Sequence, residues 1–321
     1  MRAAIGRIGL TLGVLLVAVA LNFVIPRLMP GSPIRAIAGG GDVGELTSRQ
    51  RDELLERYGL DDSLWTQFRD YLTGLLRGDL GTSLGDGRPV TTHIAERIGW
   101  TLLLVGTALV VTTVLGVVLA TVLTTRSGSK ADTGGLSTSL ALDSLPPFWV
   151  GMLLILVFGV NLGWLPTFGA TSLIDGGGVL DVAKHLVLPA STLIITGFGQ
   201  TYLVTRSSLI SVMGSTHLAH ARVRGIPERR LRYGHTLRAA ALPIHTLVML
   251  EIGWLISGAV VVETVFAYPG LGRLVFEAVS ARDYPLLQGS FLLLTVTVIV
   301  ANLIADLTYP LIDPRTRSAA S

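Results

Sequence analysis

The chain has 321 residues, of which 50% are apolar and 15% charged, and its mean hydropathy is +0.61. Water-soluble domains carry about 25% charged residues, so this composition excludes an ordinary soluble protein. The net charge of +3 gives no indication of nucleic-acid binding. Because the sequence contains no cysteine, disulfides, cysteine-ligated metals and thiol nucleophiles are also excluded.

Long stretches with few or no charges occur at six places along the chain. Each is near or above the roughly 20 residues that a helix needs to cross a hydrocarbon core about 30 Å thick. Helices satisfy their own backbone hydrogen bonds in lipid, so we predict an all-α, polytopic membrane protein with six transmembrane helices. No small-x-small cleavage site follows the first stretch, which favours a retained helix over a signal peptide. The stretches are 7–27, 97–126, 143–175, 184–206, 243–266 and 282–306.

The segment 31–99, between the first two spans, has a helical pattern of its own. We expect a charged helix over 46–58, and aromatic residues at helical spacing predict a second helix from Trp65 to Leu76. A short helix from Pro89 to Arg97 is expected to lead into the second span. Together these predict a small helical cap on the extracytoplasmic side.

The third predicted span contains Pro146 and Pro147. Proline removes a backbone donor and clashes with the preceding turn, so we expect a kink there. The later run Gly176–Gly178 is not flanked by a strand and a helix, and we interpret it as an external turn rather than a nucleotide-binding loop.

Arginines in the short connecting segments predict the orientation. The loop 214–243 contains six arginines against one acid, Glu228, and Arg126 and Lys130 follow the second span. Segments rich in Lys and Arg stay on the cytoplasmic side, so both termini are predicted to be cytoplasmic. The loop arginines are Arg222, Arg224, Arg229, Arg230, Arg232 and Arg238.

The same basic loop predicts a helix–bend–helix bracket. Residues 217–224 favour a short helix with small residues on one face, and Gly225 allows a sharp bend because glycine tolerates positive φ. A second basic helix is expected from Glu228 to Leu242, and Pro243 begins the next span. A loop that only sets topology is the alternative, but topology alone requires no glycine at a fixed distance from a Leu-Pro pair.

Enzymatic signals in the sequence are weak. It contains no His-Glu-x-x-His and no Walker-type loop, so we predict that the chain is not an enzyme. His217 and His220 are spaced to share a helix face and could ligate a metal. Since no acidic or thiol partner is near them, a polar helix face is the favoured interpretation, and no metal site is predicted.

Glu251 lies within the predicted fifth span. A carboxylate facing lipid is costly, so Glu251 is expected to face the protein interior or a water-filled path. We therefore consider Glu251 and the nearby Trp254 as candidates for a translocation pathway. A structural contact with a neighbouring helix is the alternative for Glu251.

The bracket resembles the cytoplasmic coupling loop of ABC-importer permeases, which contains a Glu-Ala-Ala motif and ends in Leu-Pro. Residues Ala219–Ala221 occupy the motif positions, and Gly225 matches the family glycine. His220 lies at a motif position where the family has a small residue. Glu251 lies at a position where the family is expected to have a neutral polar residue. The resemblance implies that an ATPase-coupling site includes Leu218, Ala219, His220, Ala221, Arg222, Gly225, Glu228 and Arg229.

The resemblance extends over nearly the whole chain and is to the dipeptide/oligopeptide/nickel permease family, first of the two permeases. It implies the type I ABC-importer permease fold, with a helix over 1–30, a cap over 31–99, a five-helix core over 100–313 and a cytoplasmic tail over 314–321. The matching segments are 30–33, 58–62, 78–83, 144–149, 163–166, 263–266, 269–272, 282–285 and 313–315.

The family's partners are implied in the same way. They are a second homologous permease, two ABC ATPases that bind ATP and Mg, and an extracytoplasmic substrate-binding protein, in a bacterial cytoplasmic membrane; this chain itself is expected to bind no cofactor. The implied function is import of di- and oligopeptides by alternating access. Nickel or glutathione are the alternative substrates, and an ion-coupled secondary transporter using Glu251 or an intramembrane enzyme are alternatives from other classes.

Overall fold

The computed structural model describes residues 2–29, 34–37, 47–57, 59–172 and 177–312. These residues form helices joined by turns, with an isolated β-bridge between Thr82 and Pro89, as the all-α prediction requires. The helices are α1 Arg2–Leu28, α2 Ile34–Ile37, α3 Ser48–Arg57, α4 Leu64–Leu76, α5 Val90–Leu123, α6 Lys130–Asp143, α7 Pro147–Leu154, α8 Val179–Met213, α9 Thr216–Val223, α10 Glu228–Arg230, α11 Leu237–Ala239, α12 Ala241–Val265, α13 Leu271–Ala281 and α14 Tyr284–Ile312. Two π-helical segments, Ile155–Asn161 and Leu231–Thr236, follow α7 and α10.

Four helices of the described residues are long and apolar enough to cross a membrane, or five if one bent pair is counted as a span. The four are Val90–Leu123, Val179–Met213, Ala241–Val265 and Tyr284–Ile304. In α1 the apolar part is shorter, Gly13–Leu28. Several spans are thus confirmed, whereas the total of six stays a prediction.

The bent pair corrects the expected third span. Instead of one kinked helix over 143–175, Lys130–Asp143 and Pro147–Asn161 meet at 97°. Pro146 and Pro147 lie at the junction of the two helices rather than in a helix interior. Pro147 is the first residue of α7, a position where the backbone N–H has no partner within the helix and proline is tolerated. The segment before it is also helical because Ser129 caps α6, accepting a 3.2 Å hydrogen bond from the Asp132 amide.

The chain divides into two compact units, and the first contains residues 1–101 and 269–299. The predicted helix from Trp65 to Leu76 is confirmed as α4, which Ser63 caps through the Thr66 amide. The expected short helix from Pro89 to Arg97 is instead the start of α5. Asp283, 2% exposed, fixes the loop before α5 by accepting a 2.6 Å hydrogen bond from Ser83.

The second unit contains residues 102–268 and 300–321, and α8 lies at its centre, packed against α6, α7 and α12. Gly199 permits the close approach of α6, because a Cβ there would lie 2.5 Å from the Ser139 carbonyl oxygen. Thr192 and Thr196 are buried in α8 and donate hydrogen bonds to carbonyl oxygens one turn earlier in the same helix. The interior of this unit therefore contains threonine side chains whose hydrogen bonds are made within their own helix.

Candidate functional site: the basic loop and the buried carboxylate

The predicted bend in the basic loop is present at Gly225. Helix α9 ends at Val223, the Ile226 amide donates to the Ala221 carbonyl at 3.3 Å, and Gly225 has φ +72°. Left-handed glycines end helices in this manner because other residues have a Cβ that clashes with the following carbonyl. A Cβ added at Gly225 would meet nothing within 4 Å, so backbone conformation alone accounts for the glycine.

The predicted coupling residues differ in exposure. His220 and Glu228 are exposed and Ala221 is half-buried, whereas Leu218 is only 2% exposed and packs into its own chain. Leu218 therefore anchors α9 rather than forming part of an accessible face. The side chains of Ala219, Arg222 and Arg229 lie outside the described residues.

Val223 is the residue that sequence reasoning missed. It lies at the end of α9, two residues before Gly225, and is 88% exposed. A large apolar side chain between two arginines at the end of a basic helix was the available signal. Val223 gives the bracket an apolar tip next to its bend.

The second half of the bracket is helical but not the single helix expected from Glu228 to Leu242. Helix α10 starts at Glu228 as predicted, continues as the π segment Leu231–Thr236, and is followed by α11. Within the π segment, Thr236 donates a hydrogen bond from Oγ1 to the carbonyl of Leu231, five residues earlier, at 3.1 Å. Pro243 lies in the first turn of α12, where its missing N–H is tolerated.

Glu251 is buried inside the second unit. It is 5% exposed and its Oε1 accepts a hydrogen bond from Thr201 of α8, which is fully buried. Its other oxygen, Oε2, has no partner among the described residues. Trp254, by contrast, is 46% exposed, so the two pathway candidates lie in different surroundings.

A buried ion pair between α6 and α8 was not predicted. Arg206 donates from Nε and Nη2 to the two carboxylate oxygens of Asp132, each at 2.7 Å, and the Gly128 amide adds a third hydrogen bond at 2.9 Å. Asp132 is 1% exposed and the Arg206 side chain 20%. The sequence showed two charges 74 residues apart, and nothing in their local patterns linked them.

Within the described part of the chain, no group of three or more His, Cys, Asp or Glu residues is arranged to hold a metal ion. His220 is exposed on α9, and the His217 side chain lies outside the described residues. The absence of a metal site thus stays a prediction.

Comparison with known proteins identifies the family. Residues 112–318 match the model of the binding-protein-dependent transport system inner membrane component. The oligopeptide transport system permease protein AppB of Bacillus subtilis is 35% identical, covering 95% of this chain and 96% of that protein. The glutathione transport system permease protein GsiC of Salmonella typhimurium is 37% identical, with 94% of each chain covered. The dipeptide transport system permease protein DppB of Escherichia coli is 32% identical, with 97% of each covered.

The fold is shared with a solved transporter. A chain from inward facing conformations of the MetNI methionine ABC transporter superposes with a TM-score of 0.56 at 15% identity, covering 69% of this chain and 97% of that chain. Such low identity shows the fold alone. Taken with the family match and the near full-length relatives, it shows that the chain belongs to the binding-protein-dependent transport system inner membrane components, the permeases of ABC importers.

Proposed function

We propose that the chain is a permease subunit of an ATP-driven importer of di- and oligopeptides. The observation that carries this proposal is the near full-length similarity to relatives named for oligopeptide, dipeptide and glutathione transport. These three names share one chemistry, a short chain of amide-linked amino acids. A peptide-sized substrate is therefore favoured over a bare metal ion.

The proposed complex contains a second permease, two cytoplasmic ATPases and an extracytoplasmic binding protein, in the bacterial cytoplasmic membrane. We propose six spans with both termini in the cytoplasm and the cap outside. ATP hydrolysis takes place in the ATPases, so this chain carries out no bond chemistry and binds no cofactor itself.

Coupling to the ATPases occurs through the basic bracket. Its exposed end, formed by His220, Val223 and Gly225, is suited to enter a groove on a partner. The buried Leu218 holds α9 against its own unit, so a force applied at the tip moves the whole helix. Closure of the ATPase pair then rotates the membrane helices and opens the cavity outward, and hydrolysis resets it.

The burial of Glu251 supports the structural alternative for this residue. A carboxylate that is 5% exposed and bonded to Thr201 supports the contact between α8 and α12. Trp254 remains the better candidate for lining a pathway, because its side chain is 46% exposed.

The test is reconstitution of the complex with its ATPases and binding protein in lipid vesicles. Uptake of labelled dipeptides, tetrapeptides, glutathione and nickel is measured together with ATP hydrolysis. We expect peptide uptake to stimulate hydrolysis, and Gly225→Val to abolish both, since a β-branched residue with φ near +70° is strongly disfavoured.

Gly163→Val is the matched control. Gly163 also has positive φ (+63°) and open space around its Cβ position, but lies outside the bracket. We expect this variant to couple normally once assembled. Normal coupling in Gly225→Val would refute the coupling assignment, and uptake of nickel without peptide would refute the substrate assignment.

A further inference from the structure

A cavity of about 270 Å³ lies in the first unit, at the meeting point of the ends of α1 and α4 and the start of α14. Drug-sized ligands occupy sites of roughly 300–1,000 Å³, so this cavity suits a smaller molecule. Its lining includes Arg27, Asp62, Asp70, Asp79 and Gln288. None of these residues belongs to the coupling bracket or the pathway candidates.

Arg27 places a cation at the inner wall of the cavity, and it forms no ion pair with the described residues. Its guanidinium carbon lies 3.5 Å from the ring centroid of Phe23. Nε and Nη2 donate to Gln67 Oε1 at 3.1 and 2.9 Å, and Nη1 donates to the Phe23 carbonyl at 2.9 Å. A guanidinium has five N–H groups, so two remain available, and no carboxylate of the described residues forms an ion pair with Arg27.

Gln288 adds a second unused donor to the same wall. It is 7% exposed, and its Nε2 has no hydrogen-bond partner among the described residues. Its backbone carbonyl accepts a 2.7 Å hydrogen bond from Asn22, which holds the residue in place. Buried amide groups are nearly always paired in proteins, so this side-chain amide is available to donate to a bound acceptor in the cavity.

The outer edge of the cavity has the opposite charge. Asp62, Asp70 and Asp79 line it and are exposed. Asp79 accepts from the Gly81 amide at 2.8 Å and Asp70 pairs with Arg69 at 3.1 Å, whereas the Asp62 carboxylate forms no ion pair with the described residues. The cavity thus presents donors and a positive charge inside, and carboxylates outside.

We propose that this cavity binds a small zwitterionic α-amino carboxylate, of the size of an amino acid or a dipeptide. The ligand carboxylate accepts hydrogen bonds from Arg27 and Gln288, and its ammonium group lies among the three aspartates. The site would be a ligand site of the permease itself, and it does not rest on the proposed coupling role of the bracket.

The experiment uses the purified full chain in lipid nanodiscs and titration calorimetry. The probes are alanine, dialanine, trialanine, N-acetyl-dialanine and dialanine amide. We expect saturable binding of alanine or dialanine, and at least about tenfold weaker binding of dialanine amide, because hydrogen bonds from a charged donor to a carboxylate are lost. The comparison of alanine, dialanine and trialanine gives the length that fits.

Gln288→Glu tests the inner wall, because it supplies a built-in carboxylate for Arg27 while leaving the backbone carbonyl in place. We expect at least about tenfold weaker dialanine binding with an unchanged melting temperature, and Gln50→Glu, an exposed change on α3, to bind as the wild type does. If Gln288→Glu does not fold, Asp62→Asn serves instead and weakens binding of dialanine but not of N-acetyl-dialanine. Equal binding of dialanine and its amide, undiminished binding by the variants, or no saturable binding by the wild type would overturn the proposal.

Discussion

Replacement of Thr201 by valine is the sharpest test of the buried contact between α8 and α12. Valine keeps the shape of threonine and removes the hydroxyl that donates to Glu251. Because Glu251 is 5% exposed and its Oε2 already lacks a described partner, the variant leaves the carboxylate without any described hydrogen bond. Hydrogen bonds to charged groups contribute about 1.5–3 kcal/mol, so we expect a loss of about 2–3 kcal/mol.

Thr205→Val is the matched control, one turn further along the same helix. Thr205 is also fully buried, but its Oγ1 has no partner among the described residues. Valine there removes a hydroxyl that already lacks a hydrogen bond, so the free energy of unfolding should change by less than about 0.5 kcal/mol or rise.

Thermal unfolding of the two variants in the same detergent and lipid distinguishes the outcomes. For a unit of this size, 1 kcal/mol corresponds to roughly 2–4 °C, so Thr201→Val should melt about 4–12 °C below the wild type and Thr205→Val close to it. Equal melting temperatures would refute the reasoning. Glu251 would then be hydrated, and its role in the pathway would become the better interpretation.

Three further perturbations test the packing and charge of the two units. Asp132→Asn should cost about 3 kcal/mol in thermal unfolding, since it leaves Arg206 mostly buried without its counterion. Gly199→Ala should cost about 1–3 kcal/mol by overpacking α8 against α6, whereas Gly106→Ala, with nothing within 4 Å, should be neutral or stabilising. Burial alone would raise the pKa of Asp86 in the first unit, but hydrogen bonds from the Arg88 amide and His93 outweigh it and lower that pKa. At a pH above the unfolded-state pKa near 4, the lowered pKa of Asp86 contributes to stability, and this contribution is lost as the pH falls through the folded-state pKa. Asp86→Asn should therefore flatten the loss of stability below about pH 4.

Contrary results would be informative in each case. The exposed pair Arg49–Glu53 is the control for Asp132, and Glu53→Gln should have little effect. A similar small effect for Asp132→Asn would mean that water reaches that carboxylate. Equal stability of the Gly199 and Gly106 variants would show that α6 can move away from α8, and an unchanged acid profile in Asp86→Asn would place the acid-sensitive group elsewhere.

Local sequence patterns were sufficient for the elements whose stability is local. The apolar length of α5 and α12, the amphipathic spacing of α4 and the glycine of the bend at Gly225 were all readable from the chain. Each depends on residues within a few turns, and the structure confirms them with shifts at the ends.

The missed features depend on contacts between distant parts of the chain. Helix α6 has a polar, glycine-containing sequence that predicts no span by itself. Its packing against α8 depends on Gly199 and on the pairing of Asp132 with Arg206. The position of Glu251 opposite Thr201 has the same origin, because a carboxylate within an apolar run does not indicate which helix it faces.

The hydrogen bonds of α8 divide this helix into two parts with different mechanical freedom. Thr192 and Thr196 bond to their own helix, so neighbouring helices can slide past that part without breaking a hydrogen bond from either hydroxyl. The described side-chain hydrogen bonds that join α8 to α6 and α12 come from Arg206 and Thr201. These two residues are five positions apart in the helix, about 7.5 Å along its axis. Tilting of α8 against these two neighbours is therefore least hindered as a rotation about that short section, with the displacement growing through Thr196 and Thr192 toward Val179.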